Sequence, residues 1–587
     1  MHRISNLNIA NYKAIRAASF EFSNYSPIVG YNNAGKSSIL EALAWVVKPY
    51  SIARTGFNDP ENPIVITVNV DGIGVEVLDG LTDNHRARIE PFLVNSQLRF
   101  RRTQLIPGDS VTRIRLEIFD PNGANDWVLN PTGISSALSA LFPEVIVVGA
   151  MENAADDVGK NTSGSTIGKL IKQIVEPVKQ EYAPRIADAL LPISNRLSAQ
   201  GDQKDQILVD VDSKIETYLD AFFPGMKART HIPMPEIEDI LKKATIQVSE
   251  DRYGDDLEGD AATMGHGAQR SIQIALINAL ADIRRGEGSE VGRTVLLLLD
   301  EPELYLHPQA IAVVRTALKQ LSNRGFQVAF TTHTGELIAT EDAANTLIIR
   351  RTPAEGCGPL QRLTDVASVI ADGNRQADIL FELSNSKEFL FSDKIILVEG
   401  PTEAMIFPQI YEKMTAKTLH ENRIGLIRLN GSGNLKKAFD VLQAMGIDPC
   451  VITDLDYVFK TAVQNGMIGA VDSRIDEIRG ISNRLAGEGH FVVGGDGFPK
   501  NSDICRAEAG FEIIAQDEQA APLIADLLFE LREQRFWVWS RGAIEPHVGI
   551  VEKNYTARRQ FVEGLKDADI SANFPDHESI QRLIEFI

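Results

Sequence analysis

Residues 30–37, with the sequence GYNNAGKS, decide the fold of this 587-residue chain. They fit the phosphate-loop pattern G-x-x-x-x-G-K-[ST] at every position. Residues 26–29 have the composition of a short buried strand, and residues 38–47 have the apolar spacing of a helix. A glycine-rich loop between a strand and a helix presents backbone N–H groups to phosphate oxygens. The stretch therefore predicts an α/β domain that binds a nucleoside triphosphate.

Within this phosphate loop, we expect the Lys36 ammonium to reach the β- and γ-phosphate oxygens. We expect the Ser37 hydroxyl to bind the Mg²⁺ that accompanies ATP. The predicted nucleotide-binding residues of the loop and first helical turn are Gly30, Asn32, Asn33, Gly35, Lys36, Ser37 and Ser38.

The composition is ordinary for a globular protein, with 44% hydrophobic and 24% charged residues, and the length suggests three or four domains. No run approaches the roughly 18 apolar residues of a membrane helix, and the first residues lack the apolar core of a secretion signal. Three scattered cysteines provide neither a disulfide framework nor a zinc site, so we predict a cytoplasmic protein. The net charge of −21 argues against passive coating of nucleic acid, although it permits a nucleic-acid enzyme whose metal-binding site is acidic.

Two further strand ends carry residues suited to triphosphate hydrolysis. Residues 295–299 form an apolar strand that ends at Asp300 and Glu301. We predict that Asp300 binds Mg²⁺ through water and that Glu301 polarises the attacking water. Residues 327–332 form another strand, which ends at His333, a further candidate catalytic residue.

A glycine-rich turn with the sequence MGHGAQ precedes the first of these strands, and a helical run from 272 to 283 follows it. Together with the phosphate loop and the two strand ends, it resembles the signature of ABC-type ATPases, in the branch of the SMC and RecF-like proteins. The resemblance implies that two heads sandwich ATP, with Gly265, Gly267 and Gln269 acting on the nucleotide of the other head. The turn departs from the usual Leu-Ser-Gly-Gly-Gln, and the helical stretch of 160–245 is too short for an SMC coiled coil.

A second α/β pattern begins at Lys394 and has its own acidic residues. The buried strand 395–398 ends at Glu399 and Gly400, and Pro401 opens a helix because proline is favoured in a first helical turn. Glu403 lies four residues after Glu399, so both carboxylates can face one site at the carboxyl edge of a sheet.

Another predicted strand, 424–430, leads into the turn 431–434, and a third strand, 450–453, ends at Asp454 and Asp456. In an extended segment, residues two apart point the same way, so these two side chains are expected to face together. Four carboxylates at one edge repel one another unless hard cations lie between them, which predicts Mg²⁺ or Mn²⁺.

The order of Glu, glycine turn and Asp-x-Asp over 390–475 resembles the Toprim domain, and an ATPase head followed by Toprim resembles the OLD (overcoming lysogenization defect) family. That family includes the nuclease subunit of the Gabija anti-phage system. The resemblance implies an ABC-type ATPase head at 1–158 and 249–380, a helical dimerisation insert at 159–248, and a Rossmann-like Toprim nuclease domain at 385–587. It also implies a late motif here, with Arg541 where lysine is frequent and Glu545 as a further ligand. Together, the predicted metal-binding residues are Ser37, Asp300, Glu399, Glu403, Asp454, Asp456 and Glu545.

We therefore predict an ATP-regulated, metal-dependent DNA endonuclease of bacterial anti-phage defence that acts as a homo-oligomer. A helicase, a reverse transcriptase with its retron DNA, or another defence-system protein is a candidate partner. One alternative is an ATPase switch with a non-cleaving Toprim module, and the intact acids argue against it. The other is a RecF-like repair loader, in which the Toprim acids are unexplained unless they serve nicking. The sequence leaves open whether ATP promotes or restrains cleavage.

Overall fold

The computed structural model describes residues 2–123, 126–142, 144–150, 166–234, 246–250, 257–286, 294–352, 356–367, 386–429, 431–565 and 574–587. The parts of the predicted helical insert at 159–165 and 235–245, and the predicted strand end at residue 430, lie outside these ranges. Among the described residues, no helix combines the length and the apolar character needed to cross a lipid bilayer.

Two compact units make up the described chain. The first contains residues 1–3, 70–99 and 117–330, and the second contains residues 4–69, 100–116 and 331–587. The boundaries of the ATPase, insert and Toprim segments given above stay predictions.

The strands follow the chain order used here. They are β1 (Arg3–Tyr12), β2 (Ile15–Glu21), β3 (Tyr25–Gly30), β4 (Ile64–Asp71), β5 (Leu98–Gln104), β6 (Arg115–Asp120), β7 (Asp126–Leu129), β8 (Val145–Val148), β9 (Gln247–Glu250), β10 (Leu257–Asp260), β11 (Val295–Leu299), β12 (Phe326–Thr332), β13 (Leu347–Thr352), β14 (Gly356–Pro359), β15 (Lys394–Val398), β16 (Ile424–Arg428), β17 (Asp448–Thr453), β18 (Val492–Val493), β19 (Pro499–Lys500) and β20 (Phe536–Val538).

The α-helices are numbered in the same way. They are α1 (Lys36–Val47), α2 (Val75–Asp79), α3 (Asp83–Ile89), α4 (Ile134–Leu141), α5 (Thr166–Leu197), α6 (Gln206–Asp220), α7 (His266–Gly286), α8 (Pro308–Ser322), α9 (Thr340–Ala343), α10 (Leu363–Ala367), α11 (Pro401–Thr415), α12 (Leu435–Ala444), α13 (Ser473–Gly487), α14 (Ala507–Gln516), α15 (Ala520–Glu533), α16 (Ile544–Val548), α17 (Tyr555–Leu565) and α18 (His577–Phe586).

In the first unit, β11 lies between β8 and β12, and both pairings are parallel. All five residues of β11 are buried, as expected for a strand of a parallel sheet that is covered on both faces. The backbone N–H of Asp300 donates to the Val148 carbonyl at 2.8 Å, so the pairing with β8 continues one residue past the strand. The two acids at 300 and 301 thus begin at the carboxyl edge of this sheet.

In the second unit, β3 pairs in parallel with β13, and β13 pairs antiparallel with β14. The register places Gly30, the first residue of the phosphate loop, opposite Ile349. The strand β3 is buried throughout, and α1 starts at Lys36 directly after the loop. The predicted order of strand, loop and helix is therefore confirmed.

The C-terminal sheet of the second unit has the strand order β16-β15-β17-β20, with parallel neighbours throughout. Its residues alternate between two hydrophobic clusters, because successive side chains of a strand point to opposite faces. Ile395 and Leu397 belong to one cluster, whereas Ile396 and Val398 belong to the other. Both faces are therefore buried, and the polar side chains that follow each strand collect at the carboxyl edge.

Candidate functional site

The phosphate loop has a backbone that only glycine permits at two positions. Gly35 has a φ of +94° and caps the N-terminus of α1. The backbone N–H groups of the first turn of this helix therefore face the loop. A Cβ atom on Gly30 would lie 2.5 Å from the Ile349 carbonyl oxygen of the neighbouring strand. Of the other predicted loop residues, Asn32, Asn33 and Ser37 are exposed, while Ser38 is half-buried. The loop fits a bound triphosphate.

Lys36 is 6% exposed, and its ammonium donates to two carbonyls of its own loop, Gly30 O at 3.1 Å and Tyr31 O at 2.9 Å. The charge is thus held inside the ring of backbone that would surround a phosphate. Phosphate oxygens are stronger acceptors for an ammonium than peptide carbonyls are. The position agrees with the predicted role of this lysine.

The other nucleotide candidates lie at the edge of β11, in the first unit. Asp300 and Glu301 follow the strand directly, and Glu301 has a left-handed φ of +48°. Such a backbone costs energy in a residue with a side chain and is frequent at functional sites. The guanidinium of Arg270 donates to the carbonyls of Gly149, Asp300 and Glu301 at 3.2, 3.4 and 3.3 Å. Arg270, which the sequence patterns did not single out, therefore binds the turn that presents the two acids.

The glycine–glutamine turn opens α7, which begins at His266, earlier than the predicted start at 272. Gln269 is buried, and its side-chain amide donates to the Met264 carbonyl at 2.8 Å. A Cβ on Gly267 would lie 2.8 Å from the Tyr305 carbonyl oxygen, so glycine is required there for close packing. Gly265 lies just before the helix. Action of these residues on a second head stays a prediction.

In the second unit, His333 follows β12 directly and its side chain is exposed. The predicted strand end is confirmed. The catalytic role of His333 stays a prediction.

At the C-terminal sheet, Glu399 follows β15 and Glu403 lies in the first turn of α11. The hydroxyl of Thr453, the last residue of β17, donates to Glu399 Oε2 at 3.4 Å. Glu403 is only 4% exposed, and a Cβ on Gly400 would lie 2.6 Å from its Oε2 atom. A glycine at this position therefore lets the Glu403 carboxylate fold back towards the strand end that carries Glu399.

The sequence predicts that Asp454 and Asp456 face together because they continue an extended strand. The premise of an extended strand at these residues is wrong. The strand β17 ends at Thr453, and the chain turns at Leu455 into a helical segment. Leu455 is fully buried, and its N–H donates to the Gly542 carbonyl at 2.7 Å. The turn nevertheless keeps both aspartates at the sheet edge. There burial raises the pKa of Asp454 and of Glu399, and the charge of Asp456 adds to both shifts.

The late motif joins this edge. The strand β20 pairs in parallel with β17, and Glu545 in α16 accepts a hydrogen bond from the Thr402 hydroxyl at 3.0 Å. Arg541 is held by its backbone, since its N–H donates to His547 Nε2 at 3.2 Å, and by an ion pair of 3.5 Å from its Nε atom to Asp576. His547 is fully buried, and its Nδ1 atom lies 2.7 Å from Asp576 Oδ2, so Nδ1 carries the proton of a neutral imidazole.

Lys553, which the sequence patterns did not single out, forms ion pairs with acids at this edge. Its ammonium lies 3.2 Å from Glu508, 3.3 Å from Glu545 and 3.9 Å from Asp454. Glu508 in α14 was also not predicted. No motif marks either residue, since Lys553 is a lone cation in a loop and Glu508 is one acid on a helix. We use the name acid cluster for the set Glu399, Glu403, Asp454, Asp456, Glu508 and Glu545.

Burial and mutual repulsion raise the pKa of four acids of the cluster. Burial is the larger cause for Glu403, whose pKa rises to about 7, and Glu545 and Glu399 add to it. The pKa of Asp454 is raised by burial and by Glu403, that of Glu399 by burial and Asp456, and that of Asp456 by burial. Although burial lowers the pKa of Lys553, Asp454, Glu545 and Glu508 raise it by more, so the lysine stays charged.

The acid cluster fits a divalent cation in its chemistry. Asp454 Oδ1 and Glu545 Oε2 are buried and accept no hydrogen bond within the described residues. Hard cations such as Mg²⁺ prefer carboxylate oxygens, and a cation here offsets the repulsion that raises the pKa values. In the described part of the chain, however, no three such ligands already surround a common point, and Lys553 lies among the acids instead.

A cavity of about 970 Å³ opens beside the acid cluster. Three cations line it, Arg506, Arg541 and Lys553, together with Glu508 and Glu545. Two members of the acid cluster, Glu508 and Glu545, thus share one recess with three cations.

The fold and these two sites define a class of protein, an ATPase joined to a Toprim domain. The family model for the AAA ATPase domain matches residues 3–91 and 142–338. The model described as "Overcoming lysogenization defect protein-like, TOPRIM domain" matches residues 390–456. The predicted fold class, resemblance to the OLD family and class of enzyme are confirmed.

The chain is similar to two relatives and to one solved structure. The chain is 29% identical over 594 residues to the Old nuclease of Escherichia phage P2, with full coverage of both proteins. It is 21% identical over 490 residues to endonuclease GajA of Bacillus cereus strain VD045, covering 77% of this chain and 75% of that protein. The SMC head domain from Thermotoga maritima aligns with a TM-score of 0.30 and 13% identity, over 61% of this chain and 99% of that one.

Proposed function

We propose that this chain is an ATP-regulated, divalent-metal-dependent DNA endonuclease. The observation that supports the proposal most is the acid cluster with Lys553 at the carboxyl edge of the C-terminal sheet. Acidic residues with a purely structural role are rarely clustered where burial and mutual repulsion raise their pKa values. The charged form of each such residue would destabilise the folded state. Two relatives have names that state nuclease activity. One aligns with the full length of this chain and the other with 77% of it.

In this proposal, Glu399, Asp454 and Asp456 hold metal, with Glu545 as a further ligand and Glu403 beside them. Bound divalent cations would supply an activated water and stabilise the leaving oxygen of a phosphodiester. Glu403, with a pKa near 7, can hold or release a proton at its carboxyl group at neutral pH.

The cations have separate tasks in this proposal. The ammonium of Lys553 neutralises the phosphate charge that grows during cleavage, as it now neutralises Glu545 and Glu508. Arg541, fixed by His547 and Asp576, binds the DNA backbone as a clamp, since guanidinium does not give up its proton near neutral pH.

We also propose that the chain works as a homo-oligomer through its helical insert. The helix α6 and the residues after it expose large apolar side chains, with exposed fractions of 73% for Ile207, 74% for Tyr218 and 77% for Phe222. Apolar surface of this extent commonly marks a protein interface. We propose that a second copy of the chain covers this surface, because the family resemblance implies that the insert is a dimerisation region.

The test of the proposed function is cleavage of supercoiled plasmid by the purified full chain with Mg²⁺ or Mn²⁺, with and without ATP. Asp454→Asn should abolish nicking and linearisation while ATP hydrolysis persists. Asp526→Asn, which changes an exposed acid on α15, serves as the matched control and should cleave normally. Equal cleavage by the Asp454 variant and the wild type would exclude the acid cluster as the nuclease site.

We also propose a role in anti-phage defence, which the family resemblance supports and plaque assays test. Cells that express the wild-type chain should resist phage infection. Cells that express Lys36→Ala or Asp454→Asn should not, and equal resistance of all three would refute the role.

A further inference from the structure

Tyr31, the second residue of the phosphate loop, lies between two arginines. The guanidinium carbon of Arg350, on β13, lies 4.6 Å from the centre of its ring, and that of Arg423 lies 4.4 Å from it. The phenolic oxygen of Tyr31 is buried and has no hydrogen-bond partner in the described part of the chain. Cation–π contact with the two guanidinium groups therefore fixes this ring.

Both arginines also hold the start of β15. Arg350 donates to the Ser392 carbonyl at 2.8 Å and pairs with Asp393 at 3.7 Å. Arg423 pairs with the other carboxylate oxygen of Asp393 at 3.6 Å, and its carbonyl accepts from the Asp393 N–H at 2.8 Å. Arg423 itself has a left-handed φ of +57° and directly precedes β16. Tyr31 thus contacts the amino-terminal edge of the C-terminal sheet.

The other end of β15 carries the acid cluster. The strand has five residues and therefore spans roughly 17 Å, with Glu399 directly after it. The packing between the phosphate loop and this strand is continuous, because Val29 of β3 and Ile348 of β13 belong to the same buried cluster as Ile395 and Leu397. A shift at Asp393 is therefore carried along a packed strand rather than absorbed by a loop.

The backbone of Tyr31 is where a nucleotide would act. Its carbonyl accepts a hydrogen bond from the Lys36 ammonium at 2.9 Å, and it also accepts one from the Ala34 N–H at 3.2 Å. Phosphate oxygens in the loop compete for the same ammonium, so their binding changes the bonds that hold Tyr31. The side chain of that residue is the one stacked on Arg350 and Arg423.

We propose that the stack of Tyr31 with Arg350 and Arg423 transmits nucleotide binding at the phosphate loop to the strand that carries Glu399. The inference rests on the proposed function for the meaning of the acid cluster, and it names the regulation of that site. Occupancy of the loop changes the contacts at Asp393 and thereby the position of Glu399 relative to Asp454. A coupling of this kind changes the affinity of one site for its ligand by about 5- to 150-fold when the other site is occupied.

Hydrogen exchange of the full chain tests the coupling without relying on cleavage. A non-hydrolysable ATP analogue with Mg²⁺ should change amide exchange of residues 390–398 and 423–428 in the wild type by about threefold or more. In Arg423→Gln the change should fall below about 1.5-fold, while affinity for the analogue stays within about twofold of the wild type. Arg559→Gln removes an exposed arginine that, like Arg423, is in an ion pair with an acid, here Glu563, and it should behave like the wild type.

Two results overturn the inference, namely no exchange change in the wild type, or the same change in Arg423→Gln. Plasmid cleavage measured with and without the analogue separates this failure from failure of the proposed function. If the wild type cleaves and both proteins respond equally to the analogue, the coupling is refuted and the nuclease stands. If exchange changes as expected but no protein cleaves, the nuclease is refuted and the coupling stands. Tyr31→Leu provides a second variant, because it removes the ring from the same stack.

Discussion

Replacing Glu403 by glutamine is expected to stabilise the folded protein above neutral pH while it abolishes cleavage. Burial, with repulsion from Glu545 and Glu399, raises the pKa of Glu403 from 4.5 to about 7 in the folded chain. Between these two values the folded state binds more protons than the unfolded state, so the free energy of unfolding falls as pH rises. Above pH 7 the loss reaches about 3 kcal/mol at most, since each pKa unit is worth about 1.4 kcal/mol. Glutamine has no charge to bury and avoids this loss.

The measurement is thermal unfolding by calorimetry at pH 5 and pH 8 in the presence of EDTA. Chelation matters because a divalent cation binds the charged carboxylates and offsets their repulsion. Glu403→Gln should match the wild type at pH 5 and unfold about 2 to 3 °C higher at pH 8, because the unfolding entropy of a chain of 587 residues is about 1.2 kcal/mol/K. Glu412→Gln changes an exposed acid on the same helix and should show no pH-dependent gain.

One result would refute the reasoning about the acid cluster. If the difference in Tm between Glu403→Gln and the wild type were the same at both pH values, neither burial nor repulsion would raise the pKa of Glu403 in the folded chain. A variant less stable than the wild type at pH 8 would show that the charged form of Glu403 is held by a favourable contact instead.

Three further changes test other parts of the molecule. Lys36→Ala should remove the stabilisation that ATP gives in a thermal-shift assay, about 2.7 kcal/mol for the wild type at a hundred times its Kd, and an unchanged shift would exclude this loop as the ATP site. Lys553→Gln should lower the plasmid cleavage rate about 100-fold, and a rate within threefold of the wild type would move the catalytic cation to Arg541. Phe222→Asp should shift the mass measured by light scattering towards the monomer, because it charges the apolar surface of the insert, and an unchanged mass would place the interface elsewhere.

The sequence predicted those features whose signal is local. These features are the phosphate loop, the acids that follow β11 and β15, and the glutamates in the first turns of α11 and α16. Each lies beside a strand or turn whose position is indicated by the residues next to it in the sequence. The parallel C-terminal sheet followed from its continuous apolar strands, which are typical of strands covered on both faces.

The sequence did not predict features that depend on the path of the chain. Lys553 and Glu508 reach the acid cluster from separate elements, and neither has a spacing that marks it. The argument from an extended Asp454–Asp456 segment failed because the buried side chain of Leu455 and its bond to Gly542 end the strand early. Likewise, nothing near Tyr31 in the sequence indicates the distant Arg423 that stacks on its ring.

The buried cluster that joins Val29 and Ile348 to Ile395 and Leu397 bears on how this protein can be divided. A fragment that starts near residue 385 contains every acid of the cluster and looks like a convenient minimal nuclease. That fragment, however, would lack Val29 and Ile348, which belong to the same buried cluster in the whole chain, and apolar surface exposed by their loss favours aggregation. Truncations or gene fusions that divide the chain near residue 385 should therefore yield insoluble protein. For the same reason, the two parts should be inherited together more readily than either is recombined with another protein.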